Sequence, residues 1–269
     1  ASLHGIDSQR DKWGGFASKY LEVGERMAAT KADVCLVLSK NMKQYIKDKY
    51  NADAVLFANG VDRPQKKEPK IIKNKFSIDK DEYLLSLGRI VPEKGIHYLI
   101  KAFKKCKTSK KLVIAGGAEA NREYYNSLVK LAEGDPRIIF TGYVYGDTIA
   151  ELYSNAYIFL LPSNLEGMAN ALLEAMSYGN CCLVSDIPEN TEVVGKHAEW
   201  FKKGNVKNLQ LKLQYLLDHE EVVKDYKDSA ADYILNQYDW DKVVDQMLEV
   251  YSGNVVEYED ILKRYNKVE

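Results

Sequence analysis

Short apolar runs suited to buried strands alternate with helix-length stretches through most of this chain, and that alternation restricts it to parallel sheets covered by helices. A strand covered on both faces reads as a continuous Val, Ile and Leu run. Such runs occupy Val34 to Leu38, Tyr83 to Leu87, Leu112 to Ala115, Ala156 to Leu161 and Cys181 to Ser185, with shorter ones near Ala54 to Phe57 and Arg137 to Thr141. Between them Ile96, Leu99, Ile100 and Phe103 fall at i, i+3, i+4 and i+7, the spacing of one helix face. Further helices are expected at about 40–50, 123–132, 148–154, 170–178, 209–217 and 222–237.

The fold class is therefore α/β, with a doubly wound parallel sheet in the longer half. Arg63 to Lys75 carries Lys66, Lys67, Lys70, Lys73 and Lys75 with Pro64 and Pro69 and reads as a linker. Residues 1–63 are too few for a doubly wound domain, and the chain opens on Ala1 rather than methionine, so it is expected to start inside a larger protein. The expected order is 1–63 as the end of one domain, 64–75 as linker, 76–252 as a second domain and 253–269 as a C-terminal tail or helix.

Composition narrows the function. Lys and Arg (38) balance Asp and Glu (39), so no global field calls for nucleic acid. The four cysteines and four histidines show no metal-ligand spacing, and the cysteines fit a reduced, cytoplasmic setting. No metal or cofactor is expected. Asp79, Lys80 and Asp81 imitate a metal-binding D-x-D, but they precede a strand, at the edge opposite the site, and read as a surface turn.

In an open parallel sheet, ligands collect beyond the carboxyl ends of the strands. Gly88 and Arg89 follow one strand, and Glu93, Lys94 and Gly95 come after a short loop. Two cations there suit an anion, Arg89 by bidentate grip and Lys94 as a mobile point charge; the plainer reading is a solvated loop with surface cations. Gly142, Tyr143 and Val144 follow another strand, where backbone can lie against a flat ring. Gly167 to Asn170 supplies backbone amides at a helix start, suited to oxygen ligands. Glu166 precedes that helix, and Glu174 lies inside it with Asn170 and Ser177 on one narrow polar stripe. A carboxylate set among apolar neighbours needs a hydrogen-bond donor, from protein or ligand. Against this, a carboxylate near a helix N-terminus gains about 0.3–1 kcal/mol from the helix dipole with no ligand at all.

The series SLGRIVPEKG from Ser86 to Gly95, LVIAGG, IIFTGYV, LPSNLEGMANALLEAMSYGN and SDIPEN resembles the donor-binding half of family-4 retaining glycosyltransferases. Those enzymes have two Rossmann-like domains facing a cleft, the GT-B fold. The family's E-x7-E motif falls on Glu166 and Glu174. HGIDSQRDKW from His4 to Trp13, with ANGVD from Ala58 to Asp62, is similar to the end of the acceptor-side domain in bacterial polysaccharide enzymes, so residues 1–63 correspond to a remnant of the N-terminal Rossmann-like domain. Ala169 departs from the pattern, since many relatives carry a second glycine there, and Asn170 matches a subset reading N-A-L-L-E-A.

The resemblance implies a transfer of sugar from a UDP- or GDP-type nucleotide sugar to a glycan or lipid-linked acceptor, with retained anomeric configuration and no metal. It implies that Arg89 and Lys94 neutralise the departing diphosphate. Glu174 would accept from the ribose hydroxyls, while Glu166 with Gly167, Met168 and Ala169 would hold the donor sugar. Tyr143 and Val144 would place backbone groups at the base, Gly88 would join the donor-binding residues, and His4 would stand near the reacting sugar and phosphate. A same-face route, in which the leaving phosphate helps deprotonate the acceptor, fits a site that nominates no nucleophile. Two alternatives stay open: a donor-binding fragment without turnover, and another GT-B enzyme such as a sugar-nucleotide epimerase or a phosphorylase. For the lysines at 66–75 with Lys43, Lys47 and Lys49, peripheral contact with anionic lipid at the inner face of the membrane competes with the commoner meaning, a solvated surface.

Overall fold

The computed structural model describes residues 1–5, 15–117 and 121–265. It divides into two compact units, residues 1–62, 166–170 and 235–269 in the first, and residues 63–165 and 171–234 in the second. The contacts return the chain to the first unit at Leu235, whereas the sequence pattern carries the second unit to residue 252. Residues 6–13 of the HGIDSQRDKW stretch lie outside the described residues, as do residues 266–269 of the expected tail.

The first unit holds a three-stranded parallel sheet in the order β1 (Ser2–Leu3), β2 (Leu36–Val37) and β3 (Val55–Leu56). Alternate residues of β2 feed opposite faces. Val37 packs with Met42 and Ile46 of α2 (Lys40–Tyr50), while Leu36 joins Phe57, Val243 and Tyr258. Ser39 Oγ accepts the Met42 amide at 3.1 Å and starts α2, and Asn51 in the left-handed region (φ 49°) ends it. Preceding them is α1 (Gly15–Lys31), and the unit is completed by α11 (Trp240–Tyr251) and α12 (Tyr258–Tyr265). Buried Gln246 of α11 donates to the Leu56 and Val256 carbonyls at 2.7 and 2.9 Å, binding α11 to the end of β3.

The second unit is built on a six-stranded, all-parallel sheet: β4 (Tyr83–Leu87), β5 (Lys111–Ala115), β6 (Ile138–Gly142), β7 (Ile158–Leu161), β8 (Cys181–Ser185) and β9 (Glu199–Phe201). The spatial order is β6-β5-β4-β7-β8-β9. Relabelled from β4 as first, this is 3-2-1-4-5-6, the doubly wound nucleotide-binding order, which reverses direction between β4 and β7. Leu84 pairs with Leu112 on one side and Ile158 on the other, and all three are fully buried. Ile96, Leu99, Ile100 and Phe103 of α4 (Ile96–Phe103) are buried together on this sheet, as their spacing requires. The remaining helices are α5 (Arg122–Ala132), α6 (Asp147–Asn155), α7 (Asn170–Ser177), α8 (Pro188–Val194), α9 (Val206–Asp218) and α10 (Glu220–Tyr238). The first two of these and the last two match the expected spans to within a few residues.

Part of the stretch read as a linker is folded. Ile71–Phe76 forms α3, and Ile72 is fully buried. Its Ile71 and Ile72 amides donate to the Glu151 carboxylate of α6 at 2.7 and 3.0 Å. A helix starter supplied from 80 residues away leaves no local signal. Removing that acceptor leaves two helix-start donors unsatisfied, so Glu151→Ala should lower stability by about 1–3 kcal/mol. The check is a denaturant midpoint that falls at unchanged slope.

Candidate functional site

The site in the second unit grows from the reversal point. There the loop after β4 and the loop after β7 are fixed against each other. Asn164 N–H donates to Glu93 O at 2.7 Å, and the turn Pro92–Lys94 closes through Gly95 N–H to Pro92 O at 3.0 Å. Gly95 stands with φ 66°, and a side chain there would put its Cβ 2.1 Å from Pro162 O. Only glycine lets these two strand ends approach so closely.

Around them Ser86, Gly88, Arg89, Ile90, Lys94 and Pro162 line one hollow at the carboxyl end of β4. Arg89 is exposed and Lys94 half-buried, so the guanidinium side stays open to solvent while the ammonium stem is packed. The same hollow is lined by the apolar Ile90, Ile114 and Leu161 as well as by the two cations. Such neighbours lower the local dielectric and strengthen attraction for an anion.

Beyond β6, Gly142 takes φ 68° and sets Tyr143 and Tyr145 as exposed rings, stacked at 6.0 Å and 13°. The Tyr143 ring lies on the backbone of Gly117, after β5. Together they offer an aromatic surface at neighbouring strand ends.

Glu174 sits on α7 and is not among the residues lining the Arg89 and Lys94 hollow. Its residue surface is exposed, yet enough protein surrounds the carboxyl to push its pKa upward by burial, with the Tyr153 hydroxyl pulling the other way; that hydroxyl donates to the Ala171 carbonyl at 3.3 Å. The exposed side keeps water on the carboxylate, which limits the upward push. Nothing in the sequence distinguishes buried Tyr153 from an ordinary core tyrosine.

The remaining candidates belong to the first unit. Glu166 to Asn170 pack with it, and a Cβ on Gly167 would fall 1.9 Å from His4 O, so this loop lies directly on the end of β1. His4 is exposed, with Nε2 3.1 Å from Ser2 Oγ. Asn59 fixes the loop from the other side: Nδ2 donates to Asn170 Oδ1 at 2.7 Å and to Met168 O at 3.3 Å. Ala169 is buried. The structure thus joins His4, Gly167, Met168 and Asn170 in one place, and Gly88, Arg89 and Lys94 in another. The sequence marks Asn59 only as part of the turn ANGVD; its role shows only once the loop is folded.

Five of the lysines considered for lipid contact are ion-paired. Lys43 pairs with Glu257, Lys47 with Asp53, Lys49 with Glu22, Lys67 with Asp147 and Lys73 with Asp79. These pairs favour a solvated surface over a lipid-binding one. No described helix is long and apolar enough to cross a membrane. Asp79 and Asp81 lie in the turn before β4, and Asp81 is held by Lys227 at 2.6 Å.

Known proteins resemble this chain in sequence and in fold. The O-antigen chain mannosyltransferase RfbU of Salmonella typhimurium is 27% identical over 214 residues, 77% of this chain and 58% of that protein. The serotype-specific mannosyltransferase WbdA of Escherichia coli is 29% identical over 165 residues, 59% of this chain and 20% of that protein. This chain therefore spans well under two thirds of either. Among solved structures, Anabaena HepE in complex with UDP and glucose superposes with a TM-score of 0.83 at 17% identity, covering 94% of this chain and 71% of that one. The fold is that of GT-B glycosyltransferases, with Rossmann-like sheets. Residues 66–233 match the family described as glycosyl transferases group 1. With more than half of its residues inside that match, the chain belongs to the glycosyl transferases group 1 family.

Proposed function

We propose that the chain carries the donor-binding part of a retaining glycosyltransferase, which moves a sugar from a UDP- or GDP-type nucleotide sugar to a glycan or lipid-linked acceptor. The observation that carries this reading is the hollow at the β4/β7 reversal, which Arg89 and Lys94 line together with apolar side chains. A nucleoside diphosphate is the anion that such a sheet position suits. The mannosyltransferase relatives and the UDP-bound HepE support the same class of donor.

In this reading the bond between the sugar's anomeric carbon and the diphosphate oxygen breaks while a bond to the acceptor oxygen forms on the same face. The acceptor proton passes to the leaving phosphate. Arg89 and Lys94 meet the negative charge that grows on that phosphate, which is where preorganised donors lower a barrier most. Glu174 accepts from the ribose hydroxyls, two oxygens serving two donors. Tyr143 and Val144 present backbone to the base, and Gly88 leaves room for the phosphates. Glu166, Gly167, Met168, Ala169 and Asn170 hold the donor sugar, with His4 at its reacting side. With two side chains meeting the charge on the leaving phosphate, this reading invokes no metal.

The test separates binding from folding. Glu174→Gln should weaken UDP or GDP binding about tenfold, or ~1.4 kcal/mol, read by calorimetry. Its effect on stability has the opposite sense. The folded-state pKa of Glu174 is raised, so its favourable contribution is present below the ordinary carboxylate range and is lost as pH rises through the raised value. At neutral pH the ionised carboxylate burdens the unliganded fold. The Gln variant should therefore melt at the same or a higher temperature at pH 7, with the difference vanishing in acid. A variant that melts lower and binds normally would remove Glu174 from the site.

A further inference from the structure

We propose that Tyr124 is a positioning residue for Lys94: its phenol, carried on α5, holds the first turn of α4 and through it the turn that bears the ammonium. This rests on reading Lys94 as a partner of the donor's diphosphate. Helix α4 has no starter of its own. Its N-cap is Gly95, which has no side chain to accept the orphan amides of the first turn. Tyr124 supplies that acceptor from a neighbouring helix, for the His97 N–H donates to Tyr124 Oη at 3.3 Å. His97 Nδ1 lies 2.8 Å from the same oxygen, and the two rings meet edge to face at 5.8 Å and 85°. One hydroxyl thus grips both the backbone and the side chain of His97.

Tyr124 is itself held. Asn121 Oδ1 accepts the Tyr124 amide at 2.9 Å and starts α5, and the Tyr124 ring packs on the core that α4 covers. Because α4 and α5 follow the neighbouring strands β4 and β5, both helices begin at the carboxyl edge of the sheet, where the hollow lies. The Lys94 turn is continuous with the first turn of α4. The Lys94 and Gly95 amides donate to the Val91 and Pro92 carbonyls, both at 3.0 Å, and the Gly95 carbonyl accepts the Tyr98 amide at 2.9 Å. A shift at His97 therefore moves Lys94. Glu93 O is fixed from the β7 side by Asn164 N–H, and Tyr124 fixes the α4 side.

The hydroxyl has one proton to give and two lone pairs to offer. A lone pair takes the His97 amide, and the proton is free for Nδ1 of the neutral imidazole. Burial, with Lys101 adding to it, holds the His97 pKa below its ordinary value, which keeps the ring neutral at pH 7. Packing alone asks only for the ring of Tyr124; the hydroxyl is what reaches α4.

Tyr124→Phe keeps the ring and removes only that hydroxyl. The experiment measures calorimetric affinity for UDP, GDP, uridine and guanosine in wild type, Tyr124→Phe, Lys94→Ala and the double variant, with Tyr125→Phe as the control on the same helix. Tyr124→Phe should weaken the diphosphates about fivefold and leave the nucleosides within twofold, an effect sized to the loss of one hydrogen bond. In the double variant the phenylalanine should add nothing to the Lys94→Ala loss, which marks two residues acting through one contact. Tyr125→Phe should bind all four as wild type does.

Equal weakening of diphosphates and nucleosides, or the same loss in Tyr125→Phe, would show a merely structural Tyr124 and overturn the proposal. Fully additive losses in the double variant would overturn it as well, since Tyr124 would then not act through Lys94. Unchanged diphosphate binding in Tyr124→Phe, with a clear loss in Lys94→Ala, would overturn it while leaving the role of Lys94 intact. Unchanged binding in Lys94→Ala would overturn both.

Discussion

Arg89→Ala should weaken nucleoside diphosphate binding about 100-fold while leaving binding of the bare nucleoside unchanged. A hydrogen bond to a charged group contributes roughly 1.5–3 kcal/mol, and Arg89 can make two of them to a diphosphate at the end of β4. Its hollow is lined also by Ile90, Ile114 and Leu161, so the interaction is less screened than at an ordinary surface. Lys94→Ala should give a smaller loss, because an ammonium is a single point of charge rather than a fork. Both losses should shrink at high salt, since part of what is removed is screenable attraction. Titration of UDP, uridine and their guanosine counterparts into each variant is the check. A loss that is the same for nucleoside and nucleoside diphosphate would mean that Arg89 supports the fold and not the phosphates.

Gly95→Ala should damage both stability and binding. A left-handed backbone costs a side chain about 1–2 kcal/mol, and forced contacts in a packed region add ~1–3 kcal/mol more. Here the new Cβ would lie 2.1 Å from Pro162 O, a backbone atom at the end of β7 that cannot swing aside. Relief demands that the Glu93–Asn164 hydrogen bond open and that the turn carrying Lys94 lift away. The expected result is a fall of about 3 kcal/mol or more in unfolding free energy, out of a total near 5–15 kcal/mol for a typical domain. Diphosphate binding should fall with it, even at temperatures where the variant is folded. Full affinity in a folded Gly95→Ala protein would show that the approach of the two strand ends is irrelevant to the site.

Most of the second unit was legible because its signals are local. Continuous apolar runs gave β4, β5, β7 and β8, and the 96, 99, 100 and 103 spacing gave α4, with all four of those residues buried as expected. Strand β9 escaped because Glu199–Phe201 is three residues long and bears Glu199 and Trp200, the latter exposed. Helix α3 escaped because its start depends on Glu151 from a distant helix. For the site, Arg89 and Lys94 could be picked out together because strand ends collect ligands in this class of sheet, and the structure gives them a shared hollow.

Other pieces were not legible, for physical reasons. The packing of Glu166 to Asn170 with the first unit depends on Asn59 and on the carbonyl of His4, neither of which has a spacing rule. Tyr153 is buried on α6 with its hydroxyl 3.3 Å from the Ala171 carbonyl of α7, a contact that has no sequence signal. The lysines of the 63–75 stretch read as a solvated surface or, less commonly, a lipid contact, and nothing in the pattern marks Asp147 and Asp79 as the partners of Lys67 and Lys73. Side-chain partners across sequence distance are what pattern alone leaves out.

The most direct measurement is a crystal structure of this chain with UDP or GDP bound. The account predicts the diphosphate within hydrogen-bond distance of Arg89 and Lys94, with the ribose hydroxyls on the Glu174 carboxylate. A nucleotide seated elsewhere, with Arg89 and Lys94 still in water, would contradict it.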